Sequence, residues 1–149
     1  MRRYVLDANC YIDASHDPDA LAQLTEFSNW AAPGLSLSSV VAAELRAGVA
    51  TARERKKLDD DVLGPFVRRG RVLTPSAAAW DALGLALATF REREGIQLAQ
   101  VRRSFAFDIL LAYSCREAGA TLVTGNTRDM ERIERVFAFQ HAKPYPERF

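Results

Sequence analysis

Four carboxylates in this chain lie in or directly after apolar segments, where folded proteins normally place hydrophobic side chains: Asp7, Glu44, Asp108 and Asp129. Asp108 is the clearest case, because it interrupts the almost wholly apolar segment 105–113. An ionised carboxylate that leaves water loses several kcal/mol of hydration free energy unless another group balances its charge. We therefore expect the fold to bring these four acids together around a bound divalent cation.

Short apolar segments that favour strands alternate with segments of helical periodicity along the chain. We predict strands at residues 4–6, 35–37, 72–73, 122–123 and 136–139. The predicted helices include 18–31, a helix capped by Ser38 or Ser39, a long one opened at 75–76, 105–116 capped by Ser104, and 129–135. This alternation predicts an α/β protein, a three-layer α/β/α sandwich with a mostly parallel central sheet of four to five strands. We expect residues 1–149 to form a single domain.

The predicted topology gives the acids a common location. In open parallel sheets, ligands bind beyond the carboxyl ends of the strands, where the strand order reverses. Asp7 and Asn9 follow the first predicted strand, and Asn126 and Asp129 follow the fourth. Glu44 falls on the inward-facing side of its predicted helix. One edge of the sheet is therefore expected to collect all four acids.

Each acid also has a purely structural interpretation. Asp7 and Asp129 suit strand-end turns or helix caps, and Glu44 suits an exposed helical position. Asp108 is the hardest to explain in this way, because Arg103 or a neutral partner would then have to satisfy it within an apolar helix. The combination favours a functional site, since all four acids fall at the same predicted edge.

Composition limits the classes of protein that remain. The net charge is +1, so an anionic partner must be held by a local patch or through a metal rather than by an overall field. No segment approaches the roughly 18 apolar residues of a membrane span, and the N-terminal apolar run is too short for a signal peptide. Cys10 and Cys115 do not amount to a disulfide framework. We therefore expect a cytoplasmic protein without membrane contact.

The order and spacing of the motifs resemble a PIN-domain ribonuclease, and more narrowly the VapC-type toxins of bacterial type II toxin–antitoxin pairs. The similarity covers nearly the whole chain and is carried by residues 6–9, the helical Glu44, 107–112 and 122–130. It implies a PIN-like fold. By position, it implies that four acids are catalytic and bind metal: Asp7, Glu44, Asp108 and Asp129.

Ala8 departs from the family pattern, which usually has Thr or Ser directly after the first Asp. The missing hydroxyl would orient the neighbouring acid or a water on the metal. Asn9 and Thr124 are candidates to compensate for it, and Asn126 matches a polar residue that commonly lies beside the acids.

The chemistry follows from the ligand types. Oxygen ligands without His or Cys select Mg²⁺ or Mn²⁺ over zinc, although the number of ions, one or two, stays open. Such ions activate water and stabilise charge on a phosphoryl oxygen. Together with this chemistry, the resemblance implies a metal-dependent endoribonuclease toxin that hydrolyses RNA phosphodiester bonds, with its RNA target left open. The resemblance also implies a cognate VapB-type antitoxin that blocks the acidic groove, and toxin self-association as a homodimer.

Basic residues supply the candidate RNA contacts. The cations at 53 and 55–57 suggest RNA contact, but those at 55–57 each have an acid four residues later, at 59–61, so the run also fits a self-neutralising, solvated helix face. Less compensated arginines are the preferred phosphate contacts: Arg68, Arg69, Arg102 and Arg103.

Two other functions stay open at this stage. An aspartyl-nucleophile phosphatase would also place Asp at the end of its first strand, but it usually needs a second Asp where this chain has Asn9. A catalytically silent PIN-like interaction module would retain the acids without using them, and the complete set of four argues against it.

Overall fold

A parallel sheet organises the chain in the computed structural model, which describes residues 1–148. Within that range the sheet has five strands: β1 (Arg3–Leu6), β2 (Leu35–Ser38), β3 (Val72–Leu73), β4 (Ala120–Val123) and β5 (Gln140–Ala142). Their order is β3-β2-β1-β4-β5, and every neighbouring pair is parallel. The predicted α/β class with a parallel sheet of four to five strands is confirmed.

Helices connect the strands and flank the sheet. They are α1 (Ala8–His16), α2 (Pro18–Ala31), α3 (Ser39–Gly48), α4 (Ala52–Leu58), α5 (Gly64–Arg68), α6 (Ala77–Glu94), α7 (Arg103–Ala118) and α8 (Thr127–Glu134). Among residues 1–148, none of the helices has both the length and the apolar character that crossing a membrane requires.

Residues 4–6 of the central strand β1 are buried on both faces of the sheet, which explains why none of them is charged. Val5 points into one core, where it joins residues of α3, α6, α7 and α8. Tyr4 and Leu6 point into the opposite core, which α1 and α2 cover and which contains Phe27. Side chains that alternate along a strand face opposite sides of its sheet, so the two cores define the three layers.

Three local predictions differ from the structure. Residues 136–139 are a turn and an irregular segment, and the fifth strand is Gln140–Ala142. The aromatic residues that resembled a strand pack instead as a ring cluster, in which Phe137 contacts Tyr113 edge to face. Helix α7 begins at Arg103 after an Arg102 cap residue whose side chain makes no capping hydrogen bond, so Ser104 lies inside the helix. Helix α8 begins two residues earlier than predicted, at Thr127.

The strand order reverses at β1. The chain runs from β1 through β2 to β3 on one side, and β4 and β5 lie on the other. Leu6 pairs with Val123, and the Asp7 N–H donates to the Val123 carbonyl oxygen at 2.9 Å. The residues that follow β1 and β4 are therefore neighbours in the crevice where ligands of such sheets bind.

Candidate active site

The four predicted acids come from separate elements and line one cavity at the carboxyl edge of the sheet. Asp7 follows β1, Glu44 lies on α3, Asp108 on α7 and Asp129 on α8. The cavity has a volume of about 530 Å³. The structure thus brings together carboxylates that are far apart in the sequence.

Asp7 is held by hydrogen bonds on both carboxylate oxygens. Oδ1 accepts from the Ala8 N–H at 2.7 Å and caps α1, a helix that the sequence analysis did not predict. Oδ2 accepts from the Thr124 hydroxyl at 2.8 Å and from the Asn9 amide at 3.2 Å. Burial raises the pKa of Asp7, and these hydrogen bonds oppose that rise. The two residues expected to compensate for Ala8 therefore both contact Asp7.

Replacing Thr124 by Val should lower the free energy of unfolding by about 1–3 kcal/mol. The shape is retained, but Asp7 loses its shortest side-chain donor, and the Asn126 N–H loses the hydroxyl that accepts from it at 3.0 Å. The matched control is Thr121→Val on β4, which directly precedes Thr124. Among residues 1–148 the Thr121 hydroxyl pairs with exposed Gln140 alone. We expect the control to change stability by less than about 0.5 kcal/mol. Equal effects in urea unfolding of the two variants would contradict this role of Thr124.

Asp108 is only 6% exposed and lies next to the other acids. Burial, followed by the negative charges of Asp7, Glu44 and Asp129, raises its pKa to about 8. The Asn126 amide partly opposes this rise by donating to Asp108 Oδ2 at 3.1 Å. The same nitrogen donates to Asp129 Oδ2 at 3.0 Å, so one amide joins α7 to α8 through two acids.

Glu44 carries a buried oxygen without a partner. Among residues 1–148, no hydrogen bond reaches its Oε1. Burial and the charge of Asp7 raise the pKa of Glu44 to about 7, while Arg103 lowers it. Three of the acids, Asp7, Glu44 and Asp108, are therefore protonated more readily than ordinary carboxyl groups. Burial opposes their ionisation, and for Glu44 and Asp108 the neighbouring negative charge opposes it further.

This donor set fits a hard divalent cation held partly through water. All the candidate ligands are oxygens, and the unpaired Glu44 Oε1 lines the same cavity as Asp108. Within the described chain, no group of three or more His, Cys, Asp or Glu side chains is arranged so that it could hold an ion by itself. Mg²⁺ usually retains several waters and binds through one or two carboxylates, so a closed cage of side chains is not required.

The pKa of Asp108 predicts an unusual pH dependence of stability in chelator. The carboxyl group has a pKa of about 8 when folded and an ordinary value of 3.8. Between these values the folded state holds a proton that the unfolded state has released, so the wild-type protein loses stability as pH rises through this window. Asp108→Asn removes this loss and should be more stable than wild type by about 1 kcal/mol or more above pH 8.

The matched control is Asp81→Asn, a substitution at an exposed position of α6. Urea unfolding in chelator at pH 5 and pH 8.5 measures the difference between wild type and each variant. The difference should grow with pH for Asp108→Asn and stay constant for Asp81→Asn. An Asp108→Asn protein less stable than wild type at pH 8.5 would rule out electrostatic strain at this site.

The predicted arginines divide between the two edges of the sheet. Arg102 lines the acid cavity, and Arg103 acts on Glu44. Arg69 instead lines a second cavity at the amino edge, together with Arg3 at the start of β1. Arg68 ends α5, which leads into the start of β3. The structure therefore does not bring Arg68 and Arg69 to the acids.

The sequence analysis missed a further cation at the site. Arg132 lines the acid cavity, and its Nη2 donates to Glu94 Oε2 at 2.8 Å. The available signal was its spacing, because Arg132 follows Asp129 by three residues on α8 and so shares its side of the helix.

Solved structures of known proteins resemble this chain over nearly its whole length. No protein-family model matches the sequence, and no curated protein does. VapBC from Salmonella typhimurium, solved bound to DNA, is 25% identical, with 97% of this chain and 100% of that chain covered and a TM-score of 0.69. VapBC2 from Rickettsia felis, solved with a fragment of promoter DNA, is 24% identical, with 94% and 97% covered and a TM-score of 0.62. FitAcB from Neisseria gonorrhoeae is 19% identical, with 95% and 97% covered and a TM-score of 0.66. The chain therefore has the PIN-like fold of the VapC proteins in toxin–antitoxin complexes, as the motifs of its sequence predicted.

Proposed function

We propose that this protein is a metal-dependent endoribonuclease that acts as the toxin of a toxin–antitoxin pair. The observation that carries the proposal is the convergence of acids from four elements on one cavity, where Asp108 and Glu44 have raised pKa values of about 8 and about 7. Such an accumulation of negative charge is a cost in the metal-free protein and an advantage when a cation binds. The similarity to VapBC complexes supports the toxin assignment.

Asp7, Glu44 and Asp108 would hold Mg²⁺ or Mn²⁺ directly or through water, and Asp129 would complete a second, weaker position. A bound ion of this kind supplies an activated water and stabilises charge on the phosphoryl oxygens. The other polar residues fix the orientation of the acids: Asn126 holds Asp108 and Asp129, while Thr124 and Asn9 hold Asp7. Ligands fixed in advance need little reorganisation when the substrate binds.

The partner of this protein would be a VapB-type antitoxin that covers the acidic cavity. The support is that the similar solved structures are VapBC complexes. For self-association as a homodimer, the support is that α6 exposes two large apolar side chains, Trp80 at 57% and Leu85 at 69%. We place the protein in the cytoplasm, where its RNA substrate is found.

The phosphatase alternative lacks support at Asn9. A general acid or base is needed at that position, whereas the Asn9 amide donates to both Asp7 and Thr124 and has no proton to exchange at neutral pH.

The test of the proposal is RNA cleavage by the purified protein in Mg²⁺, in Mn²⁺ and in chelator. We expect cleavage with either ion and none in chelator, and sequencing of the RNA ends should show a limited set of sites. Cleavage that persists in chelator would refute metal dependence. A folded protein that cuts no RNA from its own host with either ion would favour the silent interaction module.

A further inference from the structure

Arg132 places a positive charge in the wall of a mainly acidic cavity. Its side chain lines the cavity with the four acids, and among the described residues Arg102 is the other cation lining it. Arg102 is exposed, whereas the side chain of Arg132 is only 28% exposed. An RNA backbone that enters this cavity meets like charge from the acids, so its binding there depends on nearby cations.

Residues from two other helices hold the Arg132 side chain in place. Its guanidinium carbon lies 4.8 Å from the ring centroid of Phe90 on α6 and 4.7 Å from that of Phe105 on α7. Glu94, the last residue of α6, accepts the hydrogen bond from Nη2. Cation–π contacts and an ion pair restrict a long side chain before any ligand arrives, which reduces the entropy that binding must remove.

The guanidinium keeps donors for a further ligand. Within residues 1–148, the contact with Glu94 is its one hydrogen bond, so Nε and Nη1 have no protein acceptor. The planar fork of an arginine matches the geometry of a phosphate group. Moreover, the ion pair is made with Glu94, which does not line the cavity, rather than with one of the four acids.

We infer that Arg132 binds a backbone phosphate of the RNA and positions the chain across the acid cavity, an inference that rests on the proposed nuclease function. Glu94 and the two rings hold Arg132 at the wall, and its free donors face the incoming phosphate. Arg132 is thus a positioning residue, distinct from the acids that carry the chemistry.

The test measures binding of labelled single-stranded RNA to non-cleaving Asp108→Asn protein in Mg²⁺ over a range of salt concentrations. Adding Arg132→Gln should weaken binding about tenfold and reduce the slope of log K against log salt by about 0.7, the value for one lost phosphate contact on a single strand. Arg132→Lys keeps the charge and should preserve the slope. The matched control is Arg128→Gln on the same helix, an exposed position that does not line the cavity, and it should change neither quantity appreciably.

Glu94→Gln should change the affinity for RNA in the opposite direction. It removes the negative charge that partly neutralises Arg132 but leaves both ring contacts, and the Gln carbonyl oxygen can still accept from Nη2. Arg132 therefore stays in place with less of its charge neutralised, and RNA binding should tighten about two- to fivefold.

The outcomes separate this inference from the proposed function. If wild type cleaves RNA but Arg132→Gln retains the parent affinity and salt slope, the inference fails and the nuclease proposal stands. If wild type neither binds nor cleaves RNA, both fail. If Arg132→Gln does not fold, the Glu94→Gln measurement decides, and an unchanged or weaker affinity overturns the inference.

Discussion

Asp108→Asn should reduce the proposed metal-dependent RNA cleavage by at least about a hundredfold and relieve the growth arrest that we expect when the wild-type protein is expressed. The substitution preserves the shape of the side chain and its hydrogen bond from Asn126, but it removes a carboxyl group that would have to ionise to hold the metal. Single-turnover cleavage of a defined RNA measures the loss. A thermal melt of the same sample shows that the variant is folded.

Asp81→Asn is the control for this loss, because it makes the same chemical change on an exposed face of α6. Its cleavage rate should stay within about twofold of wild type. The nuclease assignment would be wrong if Asp108→Asn, folded and pure, retained the wild-type rate. Equal activity in the preparations of wild type, Asp108→Asn and Asp81→Asn would indicate a contaminating nuclease.

Mn²⁺ at about 100 times its dissociation constant should stabilise the wild-type protein by roughly 2.7 kcal/mol. For a chain of this length, that corresponds to an increase in Tm of about 5–10 °C. The reason is that the ion binds the converged acids of the folded state, whereas the unfolded chain separates them. Thermal melts across an Mn²⁺ titration measure the effect, and the Tm of the protein in chelator is the reference.

The stabilisation by Mn²⁺ should also depend on pH. Protons compete with the ion for Asp108 and Glu44, whose pKa values are raised to about 8 and about 7, so the shift in Tm should shrink as pH falls from 8 to 6. Asp108→Asn should show a much smaller shift than wild type at pH 8, and Asp81→Asn should match wild type. A Tm that does not change with Mn²⁺ at any pH would remove the thermodynamic support for the metal site.

Local chemistry made much of the fold predictable from the sequence. The strands of the sheet interior are short and apolar, and two predicted capping positions behave as expected, with Ser38 accepting from Val40 N–H and Ser76 from Ala79 N–H. Helix α1 escaped prediction because Ala8 and Cys10 are its only buried residues in the described structure, so it lacks a clear apolar stripe. The position of β5 was not predicted because this edge strand is polar and partly exposed. The aromatic segment before it looked more like a strand.

The positions of Asp7 and Asp129 were predictable because strand ends of a parallel sheet meet at one edge. Glu44 and Asp108 were predictable because each interrupts an apolar segment of its helix.

The contacts that complete the cavity could not be predicted from the sequence. Arg132 meets Phe90 and Phe105 only because α6, α7 and α8 pack together, and no local pattern encodes that arrangement. The same limit applies to Arg68 and Arg69. The sequence showed that they are basic, but it did not show at which edge of the sheet they lie.

The central strand precedes both of its neighbours in the chain. β1 is complete at Leu6, but β4, which pairs along its whole length, begins at Ala120. A chain emerging from the ribosome therefore cannot close the crevice until β4 has been translated. The acid cluster also needs Asp129 on α8, so a nascent chain that has not yet reached this helix lacks the complete site.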